Sequence, residues 1–180
     1  MIRAFVALTL PPALHETLEG LQSGLAIGRV VPPENFHLTL AFLGTHPRPV
    51  LEDLHLVLEQ ISLPAFDISI AGLGVFGGRS PRALYADIAA SPELSLLRSR
   101  IHAAAREAGI QPDSRKFLPH ITLARFSGPG GQDLADLERF VARRIETRAG
   151  PFRIGAVGLY RSHLGAGAPV YDLMAEYLLQ

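Results

Sequence analysis

One four-residue pattern, His-x-Thr-x with an aliphatic residue at both x positions, occurs twice in this chain of 180 residues. The copies are His37-Leu38-Thr39-Leu40 and His120-Ile121-Thr122-Leu123. Each lies in an apolar run typical of a strand, and a strand sends alternate side chains to opposite faces. The pattern therefore predicts two strands that bury their aliphatic residues and present an imidazole and a hydroxyl together on the other face.

Helix and strand patterns follow the same order in the two halves of the chain. Residues 2–73 predict β-α-β-α-β, residues 82–160 predict the same order, and a further strand is expected at about 169–179. The His-x-Thr-x strand is the middle strand of each half. We therefore expect one domain over residues 1–180, an α+β fold of two pseudo-twofold-related lobes. Each lobe would be an antiparallel sheet with two helices, and the active-site cleft would lie between the lobes.

The third predicted helix has the clearest boundaries. Ser91 is a suitable N-cap, Pro92 occupies the first helical position, and Gly109 suits the left-handed residue that ends a helix. These signals predict a helix over about 92–108, in front of the second His-x-Thr-x strand.

Composition excludes several classes of function. The 17 basic and 17 acidic residues balance, which argues against a long electrostatic footprint on duplex nucleic acid. The chain has no cysteine, so it has no disulfide, thiolate nucleophile or cysteine zinc site, and a cytoplasmic location is expected. No apolar run reaches the roughly 20 residues that span a membrane, so no membrane partner is expected.

Two imidazoles and two hydroxyls suit metal-free proton transfer at a phosphoryl group. Imidazole titrates near neutrality, so one neutral and one protonated histidine can coexist as base and acid. The hydroxyls can stabilise charge on the phosphoryl oxygens. From these residues alone, two interpretations stay equally open: two ordinary half-exposed strands, or a duplicated site.

Other signals carry less chemistry. Residues 72–77 match G-x-G-x-x-G, but no helix follows, so we expect a flexible loop near the site instead of a dinucleotide fold. His15, His55 and His102 lie in predicted helices and are expected to face solvent. No Asp or Glu sits beside either His-x-Thr-x copy, so no metal site is expected.

The segments around the two copies resemble known motifs. Residues 31–44 and 117–125 resemble the two signature strands of the 2H phosphoesterase superfamily, and residues 3–7 and 159–162 resemble its opening and closing strands. More narrowly, the chain resembles the bacterial and archaeal RNA 2′,3′-cyclic phosphodiesterases, also called 2′-5′ RNA ligases. The resemblance covers essentially the whole chain.

The resemblance implies a role for each residue of the two motifs. His37 would be the proton donor to the leaving oxygen, and His120 the proton acceptor that activates water. Thr39 and Thr122 would bind the phosphate.

Five further residues are implied to bind substrate. Arg125 would lie near the phosphate and Phe42 would stack on a base, although both have an odd offset from their histidines and share their face only if the strand bends. For Phe42, core packing is the alternative. Tyr85, Arg115 and Lys116 are weaker candidates for contacts with the ribose or the neighbouring phosphate.

The expected function is metal-independent hydrolysis of RNA 2′,3′-cyclic phosphodiester ends to 2′-phosphate ends. It would need no cofactor and no obligate protein partner, and its substrates would be RNA or oligonucleotide ends that carry a 2′,3′-cyclic phosphate. Three alternatives stay open: a reversible 2′-5′ RNA ligase, a small-nucleotide cyclic phosphodiesterase, and a non-catalytic RNA-end binding module.

Overall fold

A computed structural model describes residues 1–163, 165 and 169–180. The strands in these residues are β1 Ile2–Leu8, β2 Arg29–Val30, β3 Leu38–His46, β4 Phe66–Phe76, β5 Ala83–Ile88, β6 His120–Arg125, β7 Ala149–Ile154, β8 Ala156–His163 and β9 Val170–Leu178. The helices are α1 Pro12–Gln22, α2 Arg48–Leu58, α3 Pro92–Glu107 and α4 Gly131–Ala142, with a 3₁₀ turn at Pro33–Asn35.

The capping residues of α3 behave as the sequence predicts. The Ser91 hydroxyl accepts a hydrogen bond from the Leu94 amide at 3.1 Å, and Pro92 opens the helix. Gly109 follows the helix with φ of 78°, a conformation that only glycine adopts without steric cost. These contacts confirm the predicted boundaries of α3, the helix that packs behind β3.

The strands form two antiparallel sheets, which confirms the α+β class. One sheet has the order β3-β1-β8-β9 and the other the order β2-β6-β5-β4-β7. The first strand of each sequence half, β1 or β5, pairs with the middle strand of its own half, β3 or β6. Its other neighbour comes from the opposite half, because β8 pairs with β1 and β4 pairs with β5.

The sheets therefore do not follow the two sequence halves. The expected lobes over residues 2–73 and 82–160 would have kept β4 with β1, whereas the chain exchanges β4 and β8 between the sheets. The expectation of a single strand at 151–160 is also wrong, because this segment contributes to both sheets. It is divided at Gly155 into β7, which joins the second sheet, and β8, which joins the first.

The helices are exchanged in the same way. Helix α1, from the first half, packs against β6 and β7, whereas α3, from the second half, packs against β3 and α2. The apolar faces of helices and sheets meet in one continuous core. In the described part of the chain, no helix is long and apolar enough to cross a membrane.

Candidate functional site

The two His-x-Thr-x segments face each other across one cleft of about 560 Å³. His37, Thr39, His120 and Thr122 all line it and are half-buried. The four aliphatic residues of the same segments are at most 2% exposed. The predicted division into a buried aliphatic face and a polar His-Thr face is therefore confirmed, although β3 itself begins one residue after His37.

Both imidazoles are held by the same backbone contact. His37 Nδ1 lies 2.7 Å from the carbonyl oxygen of Asn35, and His120 Nδ1 lies 2.7 Å from that of Leu118. Because a carbonyl only accepts hydrogen bonds, Nδ1 must carry the proton and donate in both residues. Each Nε2 is thereby left to accept or donate a proton in the cleft.

The residues before each histidine fix that contact. Asn35 ends the 3₁₀ turn, is buried, and donates a hydrogen bond from its side-chain amide to the carbonyl of Pro169 at 2.8 Å. On the other side, the carbonyl of Pro119 accepts from the Ile88 amide at 3.0 Å. Asn35 was not predicted from the sequence, although it is recognisable there as a polar residue shortly after a Pro-Pro turn.

Aromatic rings contact both imidazoles. Phe5 and Tyr171 lie with their ring centroids 4.9 and 5.0 Å from His37. Phe76 and Tyr85 lie 4.9 and 5.5 Å from His120. These rings limit imidazole rotation, and the sequence patterns did not mark Phe5 or Phe76 because they fit ordinary strand residues.

A bulge in each His-x-Thr-x strand explains how the odd-offset residues reach the cleft. The register of β3 against β1 shifts after Thr39 and again after Phe42, and that of β6 against β5 shifts after Thr122. A bulge adds one residue and turns the following side chains to the other face. Phe42 and Arg125 therefore line the same cleft as the histidines.

In each bulge, the backbone carbonyl of the extra residue, Leu40 or Leu123, bonds to a side chain. That side chain comes from a helix of the other sequence half. Gln22 of α1 donates to the carbonyls of Leu123 and Val31 at 2.8 and 2.7 Å. His102 of α3 lies with Nε2 3.1 Å from the carbonyl of Leu40. His102 is only 8% exposed, so the expectation that it faces solvent is wrong: an unpaired carbonyl in the core requires a donor.

Phe42 and Arg125 occupy corresponding positions with different chemistry. Phe42 is 48% exposed, which contradicts the core-packing alternative and leaves its ring free to meet a ligand. Arg125 is exposed at the meeting point of four cavities. The bulges thus place an aromatic surface on one strand and a cation on the other.

Tyr85 does not line the cleft itself. Its ring stacks on Phe76 at 4.2 Å and supports the side of His120. The ring crosses Gly74, where an added Cβ would come within 2.3 Å of it. The glycines at 72 and 74 therefore belong to β4, and the expectation of a flexible loop there is wrong.

Arg115 and Lys116 lie on the rim formed by the segment between α3 and β6, and both line the cleft. Arg115 donates from Nε to Asp113 at 2.6 Å. This contact holds the pKa of the Asp113 carboxyl below its usual value. Asp113 offsets part of the Arg115 charge, whereas among the described residues no ion pair involves Lys116.

Burial lowers the pKa of His37, and the positive charges of Arg125 and His120 act in the same direction, against the hydrogen bond to Asn35. In the free protein these effects favour neutral His37. A bound phosphate anion would act oppositely, because a nearby negative charge raises a histidine pKa. Within the described residues, no three His, Asp or Glu side chains gather in a way that could hold a metal ion.

Comparison with known proteins assigns the family. A model described as the 2′-5′ RNA ligase superfamily matches residues 10–166. The RNA 2′,3′-cyclic phosphodiesterase of Methanothermobacter thermautotrophicus is 29% identical over 99% of both chains. The protein of that name from Geobacillus stearothermophilus is 32% identical over 87% of this chain and 49% of its own.

Solved structures share the fold. The crystal structure of TT0787 of Thermus thermophilus matches with a TM-score of 0.79 and 28% identity, over 99% of this chain and 98% of that one. E. coli LigT complexed with 3′-AMP matches with a TM-score of 0.75 and 24% identity over the same shares. The chain therefore belongs to the 2′-5′ RNA ligase superfamily, which confirms the 2H phosphoesterase resemblance of its motifs.

Proposed function

We propose that this protein hydrolyses RNA 2′,3′-cyclic phosphodiester ends to 2′-phosphate ends by acid–base catalysis with His37 and His120. One observation carries the proposal: both imidazoles line one cleft and have Nδ1 tied to a backbone carbonyl, which leaves Nε2 of each for proton transfer. The RNA 2′,3′-cyclic phosphodiesterases among its relatives support the choice of substrate.

The proposed step is an in-line displacement at phosphorus. Water attacks while His120 Nε2 accepts its proton, and the bond between phosphorus and the ribose 3′ oxygen breaks. His37 Nε2 gives its proton to that oxygen, so the phosphate remains on the 2′ oxygen. Solvent then returns a proton to His37 and removes one from His120.

The other cleft residues stabilise and position the reacting group. Thr39 and Thr122 lie two residues after each histidine and line the same cleft, where their hydroxyls would donate to the phosphoryl oxygens. Arg125 brings a fixed positive charge to the same place, where negative charge develops. Phe42 offers its exposed ring to the terminal base, since base–aromatic stacking tolerates any base.

Binding of substrate would complete the protonation pattern that the reaction needs. His37 must be protonated to act as the acid, yet burial lowers its pKa in the free protein. The phosphodiester anion supplies the opposite charge and raises that pKa. The acid is thus charged in the complex, where its proton is used.

The test is turnover of a 2′,3′-cyclic-ended oligonucleotide in EDTA, with products separated against 2′- and 3′-phosphate standards. We expect a 2′-phosphate product and no loss of rate on chelation. A 3′-phosphate product would overturn the assigned roles of His37 and His120, and restoration of rate by one divalent ion would overturn the metal-independent route.

The same assay separates the remaining alternatives. Binding without any turnover would identify an RNA-end binding module and overturn the proposal. Accumulation of 2′-5′ joined RNA from a cyclic end and a 5′-hydroxyl end, in excess of hydrolysis, would favour the ligase.

A further inference from the structure

We propose that a second anion site beside the catalytic cleft binds the phosphodiester that joins the terminal nucleotide to the rest of an RNA strand. The proposal rests on the function proposed above and makes its substrate an oligonucleotide instead of a free nucleotide. The site is a cavity of about 640 Å³, here named the arginine basin, lined by Arg29, Arg82, Arg125 and the loop 127–130.

Strand pairing brings two of the three arginines together, and Arg82, just before β5, lines the same cavity. Arg29 of β2 is directly opposite Arg125 of β6, and Ala83, next to Arg82, is opposite Arg125 on the other side. Like charges placed opposite each other on neighbouring strands destabilise a sheet. Because the chain has no net charge, this local excess of positive charge is a specific arrangement of the fold and not a general property of its surface.

Carboxylates do not neutralise the basin. The described arginines that form ion pairs are others: Arg48, Arg115, Arg139 and Arg153. Asp133 also lines the cavity, but among the described residues it forms no ion pair with the three basin arginines. All three are exposed, so their guanidinium groups can meet a ligand.

The basin is continuous with the catalytic centre. Arg125 lines both, and a narrow cavity of about 70 Å³ is lined by Arg29, Arg125, His37 and Thr122 together. An anion in the basin therefore lies next to the reacting phosphate and not on a separate surface.

Guanidinium groups favour one ligand chemistry at such a place. Their planar donors match the paired oxygens of a phosphodiester. In an RNA with a 2′,3′-cyclic end, the nearest further phosphate is the one on the 5′ side of the terminal nucleotide. A cyclic mononucleotide lacks it, so the basin distinguishes strand ends from small cyclic nucleotides.

The experiment compares uridine 2′,3′-cyclic phosphate with a uridine trinucleotide that ends in the same group. The measured quantity is the preference, defined as kcat/KM for the trinucleotide divided by kcat/KM for the mononucleotide. We expect the wild-type protein to prefer the trinucleotide, and Arg29→Ala with Arg82→Ala to reduce that preference roughly tenfold or more, the size expected when hydrogen bonds to a charged group are removed.

Salt dependence gives a second measurement. The slope of log kcat/KM against log salt for the trinucleotide should become shallower by roughly 0.7 for each phosphate that the variant no longer binds. Arg143→Ala is the matched control, because it removes the same charge at the opposite end of α4 and lines none of the described cavities. Its preference and slope should equal those of the wild type.

A variant that should increase the preference shows whether the loss in the double arginine variant comes from misfolding. Asp133→Asn removes the one negative charge of the basin and should increase the preference. An unchanged preference in the double arginine variant, or no preference in the wild type, would overturn the basin. Failure of the proposed function is distinguishable, because the wild type would then turn over neither substrate.

Discussion

The half-site around His37 and the half-site around His120 share a backbone plan but differ in their surroundings. In both, Nδ1 donates to the carbonyl two residues back, aromatic rings contact the imidazole, and a bulge follows the threonine. Yet the bulge directs Phe42 into the cleft on one side and Arg125 on the other. The repeated backbone positions two imidazoles alike, while the side chains that share the cleft with them differ.

The largest expected effect comes from removing either imidazole. His37→Ala and His120→Ala should each reduce kcat by about 10²–10⁴-fold on a 2′,3′-cyclic substrate, because each removes one proton-transfer group. Steady-state kinetics with thermal unfolding will measure both effects. His55→Ala, in α2 and outside the cleft, is the control. Near wild-type kcat in either catalytic variant would mean that the half-sites do not divide the acid and base roles.

Substitutions of Arg125 and Phe42, the two residues that the bulges direct into the cleft, should affect different kinetic constants. Arg125→Ala should lower kcat/KM by about 10²-fold on every substrate, since it removes a charge that stabilises the reacting phosphate. Phe42→Ala should mainly raise KM, by an amount that corresponds to about 1–3 kcal/mol of base stacking.

An abasic ribose 2′,3′-cyclic phosphate sharpens this comparison. The Phe42→Ala effect should disappear with it, because no base is left to stack, and the Arg125→Ala effect should remain. A Phe42→Ala loss of equal size on the abasic substrate would refute the stacking role.

Removal of the contact that holds one bulge should have a smaller effect. Gln22→Met keeps the size of the side chain but loses the hydrogen bonds to Leu123 and Val31. With net values of about 1 kcal/mol per bond, kcat/KM should fall roughly fivefold to thirtyfold through misplacement of Arg125.

A double-mutant cycle tests the route of that effect. In an Arg125→Ala background, Gln22→Met should cause little further loss of kcat/KM, because both changes act on one interaction. Additive losses would instead assign Gln22 a role in stability alone, and thermal unfolding of the single variants would show it.

The smallest expected effect concerns the pH dependence of stability. Burial lowers the pKa of folded His37 below its value of about 6.5 in the unfolded chain, so the unfolded state binds more protons in this window. The free energy of unfolding should therefore fall as pH decreases below about 6.5. The pKa of buried His102 is lowered too, first by desolvation.

Urea titrations between pH 7.5 and 5.5 will measure this dependence. It should weaken in His37→Gln and weaken further when His102 is also replaced by Gln. An unchanged dependence in both variants would contradict the effect of burial on these two groups.

Local patterns allowed much of the site to be predicted from the sequence. The alternation of His37, Thr39, His120 and Thr122 with buried aliphatic residues needs only the geometry of a strand, and the caps of α3 need only its neighbouring residues. The odd offsets of Phe42 and Arg125 showed that a bend was needed, but not where it would form. A bulge depends on the partner strand, and here also on Gln22 and His102 from distant helices.

Long-range pairing was the part that the sequence could not specify. The sequence patterns of β4 and β8 resemble those of strands that pair within their own half. No local feature shows whether a strand stays with its own half or joins the other sheet. Burial of His102 depends equally on an orphan carbonyl 62 positions away. Such features are decided by contacts between elements and not by the elements themselves.

The exchange of β4 and β8 also governs when the molecule can form during synthesis. The N-terminal strand β1 has β3 as an early partner, but β8 is its other neighbour. The ribosome must therefore translate past residue 163 before β1 is enclosed on both sides. Neither imidazole pocket is complete before distant segments have been made, because Tyr171 contacts His37 and Phe76 contacts His120.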